Sequence, residues 1–309
     1  MRSRRHASRV QAIKQEVAMY AVIGASGKVG GAVANTLLAA GQNVRVVVRN
    51  AQNGKVWAER GCEIALAEIE DVAAMAAAFE GVEGGFVMLP PTFDPSAGFV
   101  EARAMIAALH AALVKAAPAK LVVLSTIGAA APQSNLLNQL GLLEKALADL
   151  PMPVTYLRAA WFMENAALDI ADAKNTGVIA SYLQPLDKMF PMIATDDVGR
   201  VAAELLLEAW QGHRVVELEG LARKSPNDLA AAFAAALEQP VAARVVPRDS
   251  WDTIFRAQGM KNPEPRIQML DGFNEGWIEF ADKGAAARRG KITLEQAVAK
   301  LLGTTKALR

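Results

Sequence analysis

The chain has 309 residues, enough for one large or two modest units around a well-buried core. Hydrophobic residues make up 52%, aromatics 6%, and the formal net charge is +1. That is an Ala-rich globular composition with no bulk attraction to nucleic acid or to an anionic membrane surface. The single cysteine, Cys62, excludes an internal disulfide framework and a cysteine-based metal site within one chain. It opens an expected strand and reads as a buried, inert thiol. His6, His110 and His213 show no ligand spacing, so no metal site is expected. No run of about 18 apolar residues occurs, so no membrane span is expected.

The chain starts with a basic, acid-poor stretch carrying Arg2, Arg4, Arg5 and Arg9. No apolar core of a secretory leader follows, which argues against secretion and leaves the cytoplasm as the expected location. Met19 stands directly before the first expected strand. Residues 1–18 therefore read as a disordered arm or an extended start.

Tyr20-Ala21-Val22-Ile23 is a short apolar run that breaks at Gly24 and resumes as the apolar-periodic segment Val29 to Ala40. This is the layout of a strand, a tight turn and a helix. Within Gly24-Ala25-Ser26-Gly27-Lys28-Val29-Gly30 the glycines stand at G-x-x-G-x-x-G spacing, and each has its own task. Gly24 permits the sharp turn, Gly27 leaves the backbone open to a pyrophosphate, and Gly30 lets the helix lie close to the sheet. The helix N-terminus then offers N–H groups and the positive end of its dipole to phosphates. A glycine triplet alone is a weak signal, but the strand before it and the helix after it are the context that dinucleotide binding requires.

Further on, strands are expected at 43–49, 62–66, 84–89, 120–125 and 154–158. Helices are expected at 51–60, 71–79, 95–116 and 135–149. Such alternation means an α/β fold with a Rossmann-type, doubly wound parallel sheet, in which ligands sit at the carboxyl ends of the strands. Gly24, Arg49, Leu89, Ser125 and Arg158 mark those ends. From Trp161 the rhythm is less regular. Thr195 opens an expected helix to about Trp210, 215–219 and 241–246 read as strands, and Ser225-Pro226-Asn227-Asp228 is a strong helix start. The rest reads as helical, punctuated by Pro247, Pro263 and Pro265. We divide the chain into a dinucleotide-binding unit over 19–160 and a smaller α/β substrate portion over 161–309, folded back as a lid.

Arg49 ends the second strand, where an adenosine ribose would lie. An acidic residue there accepts from a 2′-hydroxyl, whereas a guanidinium suits a 2′-phosphate, so NADP(H) is favoured over NAD(H). Asn50 and Lys55 are candidates to assist, and a merely solvated strand-end arginine is the alternative. Ser125 and Thr126 end the fifth strand beside the expected nicotinamide. Their hydroxyls either orient a substrate carbonyl or bond local backbone. Many reductases of this architecture donate a proton from a tyrosine four residues before a lysine. Here Tyr20, Tyr156 and Tyr182 are followed at that spacing by Gly24, Ala160 and Leu186, so the pair is absent.

The chain resembles the NmrA-like branch of the atypical short-chain dehydrogenase/reductases. The resemblance rests on the 24–30 turn, Val48-Arg49-Asn50, Val123 to Gly128, Glu144-Lys145-Ala146-Leu147, Leu157 to Asn165, and Asp197 to Ala202. It implies a Rossmann domain for NADP(H), with Arg158 to Phe162 passing near the nicotinamide. Trp161, Phe162 and Asn165 would then lie at the substrate pocket, although core packing accounts equally for the two aromatics. It also implies that the tyrosine and the lysine or histidine of relatives fall on Leu136 and Leu140. Two activities are implied: an oxidoreductase acting on a small-molecule acceptor such as a quinone, or a regulator that senses NADP(H) without turning it over. Direct nucleic-acid binding and a membrane are not expected as partners. A homodimer or a regulatory protein partner stays open.

Overall fold

The apolar runs become the strands of one parallel sheet. The computed structural model describes residues 18–303, so the Arg-rich start, Ala18 excepted, lies outside the described residues. The first part of the chain alternates strand and helix: β1 (Met19–Ile23), α1 (Lys28–Ala39), β2 (Asn43–Val48), α2 (Ala51–Ala58), β3 (Glu63–Leu66), α3 (Val72–Phe79), β4 (Gly84–Val87), α4 (Val100–Ala116), β5 (Leu121–Thr126), α5 (Asn138–Ala146) and β6 (Val154–Ala159). Then follow β7 (Trp161–Phe162), a 3-10 turn (Met163–Asp169), α6 (Ile170–Asn175), β8 (Val178–Ser181), β9 (Met192–Ile193), α7 (Thr195–Leu207) and β10 (His213–Glu219). The chain continues through α8 (Pro226–Leu237), β11 (Ala242–Val245), α9 (Trp251–Ala257), α10 (Glu264–Glu275), β12 (Arg288–Arg289) and α11 (Leu294–Leu302).

The main sheet has eight strands in the order β12-β10-β6-β5-β4-β1-β2-β3, every pair parallel. Its inner strands are apolar on both faces because helices cover both. In β5, Val122 and Leu124 join the core that contains α1 and α7, while Leu121 and Val123 join the core that contains α3 and α4. The chain winds outward from β1 to β3 and then returns to β4 on the other side of β1. The ends of β1 and β4 are therefore the switch point, the place where doubly wound sheets bind ligands.

The later part of the chain contributes to this sheet as well as to its own layer. β10 pairs with β6, and β12 pairs with β10. α7 lies so close to α1 that a Cβ on Gly199 would stand 2.3 Å from the Ala32 side chain and 2.8 Å from Val29 O. Two small parallel pairs, β8 with β11 and β7 with β9, complete the strands.

Several boundaries differ from the expectations for local reasons. α5 starts at Asn138 instead of residue 135. Asn135 spends its groups on a turn: its Oδ1 accepts from Leu137 N–H at 2.8 Å, and its own N–H donates to Asn138 Oδ1 at 2.7 Å. α4 starts at Val100, after Gly98 and Phe99 both take left-handed conformations. α7 ends at Leu207, and at its start no side chain of its own caps it. The Glu164 carboxylate does so from the neighbouring turn, accepting from Thr195 N–H at 2.9 and 3.0 Å. α8 has the expected start, a reciprocal capping box between Ser225 and Asp228.

Candidate functional site

The turn after β1 has the geometry its glycines require. Gly24 has φ +75°, and its carbonyl accepts from Gly27 N–H at 2.9 Å. A Cβ on Gly30 would fall 2.3 Å from Gly24 O and 2.4 Å from Gly24 C, so the helix start rests directly on the turn. Gly27 is different. A Cβ there would approach only Gly24 O, at 3.3 Å, and would otherwise project into open space. Ala25, Val29 and Gly30 are buried, whereas Ser26, Gly27 and Lys28 form an exposed rim. α1 begins without a side-chain cap and without an acidic residue in its first turn, so its partial positive charge is not neutralised. This rim is a cradle suited to a phosphate, and a side chain at Gly27 would fill it.

Along the rim of the sheet, Arg49 is exposed, with no ion pair to any described residue. Asn50 caps α2, its Oδ1 accepting from Asn53 N–H at 3.0 Å, and Lys55 is exposed on that helix. Leu89 is buried two residues beyond β4.

At the ends of β5 and β6 a carboxylate gathers two of the expected residues. Ser125 and Arg158 are in register across the strands. The Ser125 hydroxyl donates to Glu144 Oε1 at 2.5 Å, and Arg158 donates to both Glu144 oxygens, at 2.9 and 2.6 Å. The hydrogen bonds it donates to Glu144 hold the Arg158 guanidinium above its ordinary pKa, against the opposing effect of burial. Glu144 is the bridging residue of this cluster that residue chemistry alone missed. Its signal was a lone acid in an apolar helix, following a strand-end serine and preceding a strand-end arginine. Thr126 is half-buried, and its hydroxyl has no partner among the described residues. Leu136 is buried and Leu140 half-buried. Between them Gln139 donates to Thr92 O and Leu136 O, both at 3.1 Å, holding the loop after β4.

The far wall comes from the later part of the chain. Trp161 meets the Phe273 ring edge-on, centroids 5.3 Å apart, and Trp161 and Phe162 pair with Met192 and Ile193. Asn165 is exposed on the following 3-10 turn. The wall is pinned to the strand ends. Asp94 accepts from Lys261 N–H and Asn262 N–H at 2.8 and 2.7 Å, and Leu136 N–H donates to Pro265 O at 2.8 Å. Among the described residues no group of three or more His, Cys, Asp or Glu is placed to hold a metal ion. No described helix is long and apolar enough to cross a membrane.

A parallel sheet with its switch point at a glycine-rich turn defines a Rossmann-type α/β protein. Within that class, the NmrA-like family profile matches residues 17–283, and the chain belongs to the NmrA-like family. An NAD(P)H azoreductase from Xenophilus azovorans is 26% identical over 260 residues, covering 83% of this chain and 85% of that protein. Quinone oxidoreductase 2 from Escherichia coli (strain K12) is 27% identical over 215 residues, covering 69% of this chain and 72% of that protein. The solved structure of an NADPH-dependent quinone oxidoreductase from Escherichia coli, complexed with NADPH, superposes with a TM-score of 0.76 at 22% identity. It covers 92% of this chain and 100% of that one.

Proposed function

We propose that the protein is an NADPH-dependent oxidoreductase that passes hydride to a quinone or a similar electron-poor acceptor. The observation that carries this reading is the uncapped, acid-free start of α1 behind the open Gly27. The names of the two relatives, an azoreductase and a quinone oxidoreductase, point the same way. In this reading the backbone amides around Ser26, Gly27 and Lys28 hold the pyrophosphate, and Arg49 meets the 2′-phosphate.

A bound nicotinamide supplies the hydride. The protein positions it: Leu89 forms apolar floor, and Glu144 fixes Ser125 and Arg158 beside the ring. Trp161 and Phe162 supply an apolar wall for a planar acceptor, with Asn165 at its mouth. Thr126 is the hydroxyl still able to donate to an acceptor oxygen. A quinone needs little more, because its oxyanion is delocalised over the ring and takes its proton from water.

The test is a titration with NADPH, NADH and NADP⁺, followed by menadione, with absorbance read at the nicotinamide band. Tight NADPH binding with acceptor-dependent oxidation is the expected result. One observation favours a second reading, a regulator that senses NADP(H). Ser125 has its proton committed to Glu144, and Leu136 and Leu140 bring no acid to the site. Tight binding with no turnover of any quinone selects that reading, and absence of nucleotide binding overturns both.

A further inference from the structure

Arg266 is out of keeping with the other half-buried arginines of this protein. Arg45, Arg158, Arg200, Arg214, Arg223 and Arg288 each reach a carboxylate within 2.9 Å. Arg266 reaches none among the described residues. Its guanidinium lies 4.4 Å from the centroid of the Phe255 ring, and Nη1 approaches the Met260 sulfur at 3.7 Å. Burial pulls its pKa below the ordinary value, and Tyr182 is the one group that offsets this. A partly desolvated cation without an anion is costly unless something else supplies the anion.

A second donor stands beside it. Tyr182 packs on the same Phe255 ring, centroids 5.1 Å apart, and edge-on to Trp251 at 5.7 Å. Burial raises its phenol above the ordinary pKa, and the nearby positive charge of Arg266 works against that rise. A phenol hydroxyl both donates and accepts, so its proton can be offered to a ligand. The acid near Tyr182 is Asp169, which acts on the phenol and contributes nothing to Arg266. Arg266 also sits in the first turn of α10, where the helix dipole adds to its positive charge and the exposed Glu264 works against it.

The position of this pair relative to the acceptor wall follows from helix geometry. Arg266 and Phe273 are seven residues apart on α10, so they share one stripe, about 10 Å apart along the axis. Phe273 touches Trp161. We propose that Arg266 and Tyr182 form an anion subsite at the far end of the acceptor cleft, which selects aromatic acceptors carrying a carboxylate or sulfonate substituent. The proposal rests on the reading of Trp161 as acceptor wall. The ring lies against Trp161 and Phe273, and the anionic substituent reaches Arg266.

Isothermal titration of the full-length protein in chloride buffer, with naphthalene-2-sulfonate and the neutral 2-naphthalenemethanol, tests this without any turnover. The sulfonate should bind at least about tenfold more tightly, the scale of one charge-assisted hydrogen bond. Arg266→Met, which keeps apolar bulk on Phe255, should erase that preference while leaving the affinity for the neutral probe. Tyr182→Phe, which keeps the ring, should cut the preference by about threefold, a fraction of one hydrogen bond, and serves if the methionine variant does not fold. Equal affinity for the two probes, a preference that survives in both variants, or no binding of either probe overturns the subsite. Loss of menadione turnover with the sulfonate preference intact would instead remove the reductase reading and keep the subsite.

Discussion

Ser125 gives its hydroxyl proton to Glu144 across 2.5 Å, and the same carboxylate grips Arg158 through two hydrogen bonds. A carboxylate accepting from a guanidinium has no proton to return, so Ser125 presents lone pairs, not an acid, to its surroundings. The site is thereby divided: Ser125 holds shape, and Thr126 keeps a hydroxyl free. Glu144→Ala should leave the half-buried Arg158 without its anion and cost about 3 kcal/mol. Ser125→Ala removes one hydrogen bond and should cost only about 1 kcal/mol. Urea unfolding followed by circular dichroism separates the two, and equal losses would show that the pair is not the main element.

The glycines of the turn make a sharper contrast. Gly30→Ala drives a methyl into backbone atoms 2.3 and 2.4 Å away, so the turn itself must move. A loss of about 1–3 kcal/mol and of nucleotide binding together is expected. Gly27→Ala meets only Gly24 O, at 3.3 Å, in a backbone conformation open to any residue. It should fold within about 1 kcal/mol of the parent yet bind NADPH at least about tenfold more weakly, because its methyl occupies the phosphate cradle. A Gly27→Ala protein with full NADPH affinity would remove the cradle from the site.

In the proposed function Arg49 carries the choice between nucleotides. It is exposed and without an ion pair, so replacing it disturbs little else. Arg49→Glu should weaken NADPH by at least about tenfold through loss of a charge-assisted contact, while NADH changes little. Parallel fluorescence titrations give the ratio. An unchanged ratio would make Arg49 a solvated surface charge.

What could be read from the chain before folding was what is local. The β1 turn declares itself because its three glycines, its strand and its helix are contiguous. The inner strands are legible because a sheet covered on both faces demands unbroken apolar runs. β12 was missed because Arg288 and Arg289 carry no strand signal of their own. They are held by their neighbour: Gly290 N–H donates to Glu219 O at 2.8 Å, and Asp197 accepts from Lys291 N–H and Ile292 N–H at 2.7 and 2.8 Å. The cap of α7 was not readable for the same reason, since the capping carboxylate, Glu164, belongs to another element. At the site, the Gly24–Gly30 rim was readable, whereas the Glu144 bridge and the packing of Tyr182 and Arg266 on Phe255 depend on which elements pack together.

Asp169 links this region to pH. Burial, aided by the neighbouring Asp172, pushes its carboxyl from the ordinary 3.8 up to about 6. The folded protein therefore holds this proton more tightly than the unfolded chain does. Its stabilising contribution is complete below about pH 4, and it is lost as pH rises through about 6. Above that the ionised carboxylate is a burden, of order 3 kcal/mol for a shift of about two units. Asp169→Asn keeps the shape without the charge. It should raise the urea midpoint at pH 8, make less difference at pH 5, and change nothing further above pH 8. Equal effects of the substitution at pH 5 and pH 8 would mean that Asp169 titrates normally and that its surroundings are wetter than the packing indicates.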